Sequence, residues 1–284
     1  MSDHILLNVF VEGDGGGNAV AVFPDAPEMP ADRMQEIAAE LNLSETTFVT
    51  RSDDSSYDVR IFTPREELPF AGHPTLGTAW ALLHEGRLKG DAYTQNSAAG
   101  ATDVWREGDV LWLRRTGNSS DDRDRTHPQI GDELARAFGL EPEDIGFDAR
   151  ELGRSGELRP ALSDAGLVHL CVPLRDVATL GRVEVDAARL SALSHEGAYC
   201  FSADRPGYLH ARGFFPDYGI AEDPATGSGA ASLGIYLADR IDAISFEVFQ
   251  GVEMGAPSHL FVKAEPGEVA VGGRCIFLVG SPAK

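Results

Sequence analysis

Lysine is nearly missing from this chain. Lys89, Lys263 and Lys284 stand against 21 arginines, and 45 acidic residues bring the net charge to −21. A chain with so little free basic surface is expected to have neither nucleic acid nor an anionic membrane as a partner, because both need a basic face. Cysteine is also scarce: Cys171, Cys200 and Cys275 form an odd set, which argues against a disulfide framework. No apolar stretch approaches the ~20 residues of a membrane span. Met1 to Val11 lacks the basic region and apolar run of a secretory leader. The expectation is a soluble, cytoplasmic protein.

Several cofactor signatures are missing too. There is no His-x-x-x-His or Cys-x-x-Cys pair, so no metal site is expected. The glycine run Gly13 to Gly17 has the wrong spacing for a dinucleotide fingerprint and is not followed directly by a helix, so a hairpin turn is expected there. No Walker lysine follows Gly227-Ser228, and no Gly-x-Ser-x-Gly elbow occurs. No cofactor is expected.

What is present is a motif that occurs twice. Residues 222–234 carry Glu222-Asp223-Pro224-Ala225-Thr226-Gly227-Ser228-Gly229 and then run into an apolar stretch. This reads as a loop turning into a helix, with Asp223 and Ser228 as candidate caps. The free N–H groups and positive dipole end of such a start suit a carboxylate or phosphate. Residues 62–80 repeat the plan 155 residues earlier, with Gly72-His73 in the place of Gly227-Ser228. Two such starts imply two related halves facing each other across a cleft.

The rest of the chain follows that repeat. Strands at 4–11 and 19–23, a helix at 31–41, strands near 46–50 and 57–62 and the Gly72-His73 helix make one half. A strand at 167–172, a helix near 186–194 capped by Asp186, strands at 198–202 and 208–215 and the Gly227-Ser228 helix make the other. The polar, aperiodic stretch 116–127 is the expected boundary, giving domains 1–118 and 126–284. A last strand at 268–278 is surplus to the pattern and is free to cross back to the first half.

Three side chains have the chemistry for proton transfer. Glu45 lies in a short loop at a strand mouth, where it either works as a general acid/base or is simply solvated. His73 sits where the helix dipole disfavours protonation, which suits a neutral imidazole. Asp223 is placed to orient an amine or hydroxyl, or else to cap its helix. Glu196, near the matching place in the second half, is read as surface.

These motifs carry a family resemblance. Gly17 to Val22, Asn42-Leu43-Ser44-Glu45-Thr46, Phe62-Thr63-Pro64 with Glu67 to Gly77, Glu222 to Ser228, Gln250 to Ser258 and Val271-Gly272-Gly273 occur in order over nearly the whole chain. Together they resemble the phenazine-biosynthesis isomerase (PhzF-like) family. One departure is Ala19, where proline usually follows Gly-Asn.

The resemblance implies an α/β (α+β) fold of the diaminopimelate-epimerase type. That fold has two pseudo-symmetric domains, each a curved sheet around a central helix, with the site between them. It also implies a cofactor-independent isomerase acting on a small carboxylate, with trans-2,3-dihydro-3-hydroxyanthranilate as the prototype substrate. Glu45 would be the acid/base, with His73 and Asp223 as catalytic companions and Ser44, Gly72, Gly227 and Ser228 binding substrate. A homodimer is implied as well. Racemases on the same fold carry a cysteine at each helix start, and here Ala71 and Thr226 hold those positions. The alternatives are therefore an amino-acid epimerase, or a binding protein that keeps the cleft without turnover.

Overall fold

The computed structural model describes residues 4–121 and 130–278. The expected boundary 116–127 thus lies partly outside the described residues. By compactness the chain divides into two units, residues 1–114 with 272–284, and residues 115–271.

The N-terminal unit starts with β1 (Ile5–Val9), β2 (Asn18–Phe23), α1 (Ala31–Leu41), β3 (Glu45–Ser52) and β4 (Ser56–Phe62). It continues with β5 (Glu67–Leu68), α2 (Gly72–His84), β6 (Ala92–Ser97), β7 (Gly100–Glu107) and β8 (Val110–Thr116). Helix α1 buries Met34 and Ala38 on one face, as its i, i+4 spacing requires. It connects the parallel strands β2 and β3, and α2 lies in the connection between the parallel strands β4 and β6. The hairpins β1–β2, β3–β4 and β7–β8 are antiparallel.

The C-terminal unit runs β9 (Asn118–Asp121), α3 (Ile130–Phe138), β10 (Phe147–Asp148), β11 (Glu157–Leu158), β12 (Ala161–Asp164) and β13 (Val168–Pro173). Next come α4 (Val177–Gly181), α5 (Ala187–Leu193), β14 (Ala198–Arg205), β15 (Tyr208–Phe215) and β16 (Ile220–Asp223). It ends with α6 (Gly227–Ile241), β17 (Ile244–Gln250), β18 (Ser258–Glu265) and β19 (Glu268–Gly273). The pairing senses repeat those of the first unit: β13 is parallel to β14, β14 antiparallel to β15, and β15 parallel to β17. Asp186 does cap α5, accepting from the Arg189 N–H.

The stretch expected as one strand over 268–278 is two. It breaks at Arg274, whose guanidinium pairs with Asp109, and the chain resumes as β20 (Cys275–Phe277) antiparallel to β1. This last strand belongs to the N-terminal unit.

A helix apolar on all sides has to be buried on all sides. In α2 every residue from Gly72 to Ala79 is buried, and the helix packs on β1, β2, β3 and β20. Helix α6 is buried from Gly229 to Ala238 against β9, β12, β13, β17 and β18. Close approach requires glycine: a Cβ on Gly77 would lie 2.7 Å from Val20 Cγ1. Leu76 is fully buried, and its truncation to alanine would cost about 2–5 kcal/mol. Each unit therefore holds one central helix whose N-terminus is fixed by the surrounding strands.

Candidate active site

In the N-terminal unit the chain leaves α1 through Asn42, which adopts the left-handed conformation (φ 50°), and Glu45 opens β3 opposite Val20. Ser44 turns its hydroxyl to Asn18 Oδ1 at 3.3 Å. Gly72 and His73 are the first two residues of α2, and no side chain caps that helix at Ala71. One turn on, Thr75 receives a hydrogen bond from Gln95 and its carbonyl accepts from Tyr57, so the start of α2 is held to β4 and β6.

Glu45 and His73 meet there. His73 Nε2 lies 3.3 Å from Glu45 Oε2 and 3.3 Å from the Ala19 carbonyl oxygen. Burial pushes the imidazole down to about 4, against a smaller opposing effect of the Ala19 carbonyl, so the ring is neutral at pH 7. With the Ala19 carbonyl as its hydrogen-bond acceptor, Nε2 carries the ring proton, and Glu45 Oε2 stands at the same distance from it. Glu45 Oε2 is sealed from solvent. The unit thus presents one carboxylate beside a fixed neutral N–H donor at an uncapped helix start.

In the C-terminal unit Asp223 ends β16, and Gly227 and Ser228 open α6. The expected side-chain caps are not formed. Asp223 Oδ2 instead accepts from the Thr226 hydroxyl at 2.7 Å, and Ser228 Oγ lies 3.0 Å from His169 Nε2. The physical reason is a competing partner for each group. A buried glutamine makes the arrangement rigid: Gln250 Nε2 donates to the Asp223 carbonyl and to Thr226 Oγ1, while its Oε1 accepts from Tyr199 OH and from the Thr226 N–H. All four bonds of that amide are made, which is how a fully buried polar side chain avoids a desolvation penalty. Gly229 permits it, since a Cβ there would meet the Tyr199 ring at 2.5 Å.

The two units are not chemically equal. Val20 faces Glu45 in the first parallel pair and Leu170 faces Ala198 in the second, so alanine holds the place of the glutamate. Glu196, read from sequence as surface, is half-buried and accepts from the Ser194 hydroxyl. Ala71 and Thr226 precede the two helices. The three cysteines are buried in β13, β14 and β20, and burial raises each thiol well above its ordinary value, Cys171 to about 12. Such thiols stay protonated and are poor nucleophiles. Among the described residues no group of His, Cys, Asp and Glu could hold a metal ion. A surface hollow lined by Phe147, Arg150, Gly156 and Arg159 includes none of the candidate residues.

The phenazine biosynthesis-like family (PhzC-PhzF) matches residues 7–280. The chain belongs to this family. Trans-2,3-dihydro-3-hydroxyanthranilate isomerase of Pseudomonas chlororaphis is 35% identical over 273 residues, covering 93% of this chain and 91% of its own. A solved predicted epimerase from Pseudomonas aeruginosa is 31% identical, with a TM-score of 0.75 over 98% of both chains. A PhzF-family protein of Bacillus anthracis shares the fold at a TM-score of 0.79 and 23% identity, over 97% of this chain and 96% of its own. As a PhzC-PhzF member the protein is an enzyme of the isomerase type, on the two-domain α/β fold expected from its motifs. No helix among the described residues is long and apolar enough to cross a membrane.

Within the PhzC-PhzF motifs, Gln250 is noticed from sequence but without a role. His169, Tyr199 and Thr226 go unread as supports. His169 stands in an ordinary strand pattern, and the one available signal is the internal repeat, in which it holds the place that Ala19 has in the N-terminal unit.

Proposed function

We propose that this protein moves a proton within a small carboxylic acid, using Glu45 as both acceptor and donor and needing no cofactor. The observation that carries the reading is the 3.3 Å approach of Glu45 to the neutral His73 imidazole at the start of α2. A proton shift between two carbons of one substrate needs a group that takes the proton and returns it. A carboxylate next to a fixed N–H donor, with one oxygen sealed from water, is suited to both steps. His73 cannot compete for the proton, because its imidazole already donates Nε2–H and resists a second proton. Asp223 is held by Thr226 as an acceptor for an amine or hydroxyl of the substrate. The start of α6, with the Ser228 hydroxyl, is the proposed anion site for the substrate carboxylate, since helix N-terminal N–H groups favour negative charge.

An epimerase with two bases is disfavoured by Ala198 in the place of Glu45, and by the lack of a thiol at Ala71 and Thr226. A mere binding protein would have no need of the Glu45–His73 pair. The substrate we propose is trans-2,3-dihydro-3-hydroxyanthranilate, after the relative from Pseudomonas chlororaphis.

The test is conversion of that substrate in deuterated water, followed by NMR, with wild type and Glu45→Gln. The variant should bind substrate but lose at least ~10² in turnover, the lower range for general acid–base catalysis. Equal rates would remove Glu45 from the mechanism. An inactive wild type would overturn the substrate.

A further inference from the structure

Thr226 is a buried hydroxyl at the start of α6 to which the proton-transfer step assigns no chemistry. Its surroundings fix the direction of every proton around it. The fixed points are two backbone groups, which cannot exchange roles as donor and acceptor. The Thr226 N–H lies 3.1 Å from one end of the Gln250 amide, and the Asp223 carbonyl lies 2.7 Å from the other. An N–H can only donate and a carbonyl can only accept, so the first end of the amide is Oε1 and the second is Nε2. Burial raises the Tyr199 hydroxyl well above its ordinary value, so that side chain keeps its proton and gives it to the same Oε1.

The direction then passes to the threonine. Gln250 Nε2 donates to Thr226 Oγ1 at 2.8 Å, and Asp223 Oδ2 lies 2.7 Å from that oxygen. These are the two hydrogen bonds of the Thr226 hydroxyl among the described residues. If Asp223 were protonated and donating, Thr226 Oγ1 would receive two protons and its own would be buried without an acceptor, at a cost of about 1–3 kcal/mol. With Asp223 ionised, the threonine proton goes to Oδ2 and every group is matched. Glycine in β15 leaves room for this bond: a Cβ on Gly213, which stands opposite Asp223, would lie 2.8 Å from Thr226 Oγ1.

The repeat shows what is particular to this unit. Gln95 of β6 stands 155 residues before Gln250 of β17, the interval that also separates the two helix starts. Gln95 Nε2 likewise donates to a threonine hydroxyl, that of Thr75, and Thr75 passes its proton on to the Ala71 carbonyl. Both units thus run from a buried amide through a threonine to an acceptor. In the N-terminal unit that acceptor is backbone, and holding the helix start is all the chain of bonds can do. In the C-terminal unit it is the carboxylate of Asp223.

We propose that Thr226 is a positioning residue: oriented by Gln250, it gives its hydroxyl proton to Asp223 Oδ2 and holds that carboxylate as a proton acceptor toward the ligand, so that the site favours acids carrying an amine or hydroxyl donor over plain carboxylates. This rests on the reading of Asp223 as the partner of a substrate amine or hydroxyl.

The experiment measures calorimetric binding of two probes, 3-hydroxyanthranilate and benzoate, to the full-length protein. Both carry a carboxylate, and only the first carries amine and hydroxyl donors. Wild type should prefer 3-hydroxyanthranilate. Thr226→Val, which keeps the shape and removes the hydroxyl, should cut that preference about tenfold and leave benzoate affinity unchanged. Thr226→Ser should restore it. Asp223→Asn should lose the preference too, and Thr226→Val/Asp223→Asn should lose no more than Asp223→Asn, because the threonine acts through the aspartate. Carbon-13 NMR of aspartate-labelled wild type at pH 7 should show Asp223 ionised, a readout that needs no variant to fold. A protonated Asp223 would reverse the bond and overturn the proposal. So would an equal loss of both probes in Thr226→Val, which marks a structural role only, or a failure of Thr226→Ser to restore the preference. Full preference in Thr226→Val with loss in Asp223→Asn would overturn the role of Thr226 and leave that of Asp223 standing. Full preference in Asp223→Asn, or none in wild type, would overturn the reading of Asp223 itself, and this inference with it.

Discussion

Mild acid should weaken both units of this protein through one buried histidine in each. His73 and His169 are 6% and 7% exposed, and burial pushes each imidazole down to about 4 from an ordinary 6.5. Once unfolded, each takes up its proton near 6.5. Between 6.5 and 4 the unfolded chain therefore binds more protons than the folded one, and stability falls as pH falls. The full difference corresponds to about 3 kcal/mol per histidine, of which about 2 kcal/mol is lost between pH 7 and pH 5. Carboxylates of ordinary pKa stay ionised over that range and contribute little. With a urea slope of about 2 kcal/mol per molar, each histidine should lower the unfolding midpoint of its unit by about 1 M over two pH units. The assay is urea unfolding at pH 7, 6 and 5 for wild type, His73→Gln, His169→Phe and the pair. Each substitution should flatten the pH dependence of its own unit. A midpoint that does not move between pH 7 and pH 5 would refute the reasoning. An undiminished pH dependence in the double variant would do so too.

Gln250→Leu should cost about 2–4 kcal/mol in urea unfolding, because Tyr199 OH and the Thr226 N–H would be left buried without their acceptor. It should also lower turnover in the folded enzyme by freeing Asp223, and full activity would show that the network does not support the site. Replacing Cys171, Cys200 and Cys275 together by serine should cost about 1–3 kcal/mol for each hydroxyl buried without a partner. Turnover per folded molecule should stay within about threefold of wild type in the same NMR assay, and its loss in a folded variant would return thiols to the mechanism.

Much of this molecule is legible in local sequence. The spacing of Met34, Ile37, Ala38 and Leu41 marks α1, and its bounds agree with the observed 31–41. The glycine loop before Asn18 makes the β1–β2 hairpin, and Asp186 marks the start of α5. These features depend on side chains a few residues apart, where period and turn chemistry act directly. The order of motifs also led to the family, because each motif serves one local turn or helix start.

The long-range contacts were decided by the tertiary structure alone. His73 is 28 residues from Glu45 and His169 is 59 from Ser228, and both approaches depend on the register of a parallel strand pair beside a buried helix. Nothing local in β13 sets His169 apart from its neighbours, and nothing near Gln250 tells which four groups its amide will satisfy. The break at Arg274 is of the same kind. Gly272-Gly273-Arg274 interrupts the apolar residues of 268–278, but only the fold shows that β20 pairs with β1 at the far end of the chain. Apolar spacing tells which face of a segment is buried. Which strand or helix covers that face, and so which polar side chains meet there, is set only when the whole sheet has formed around its central helix.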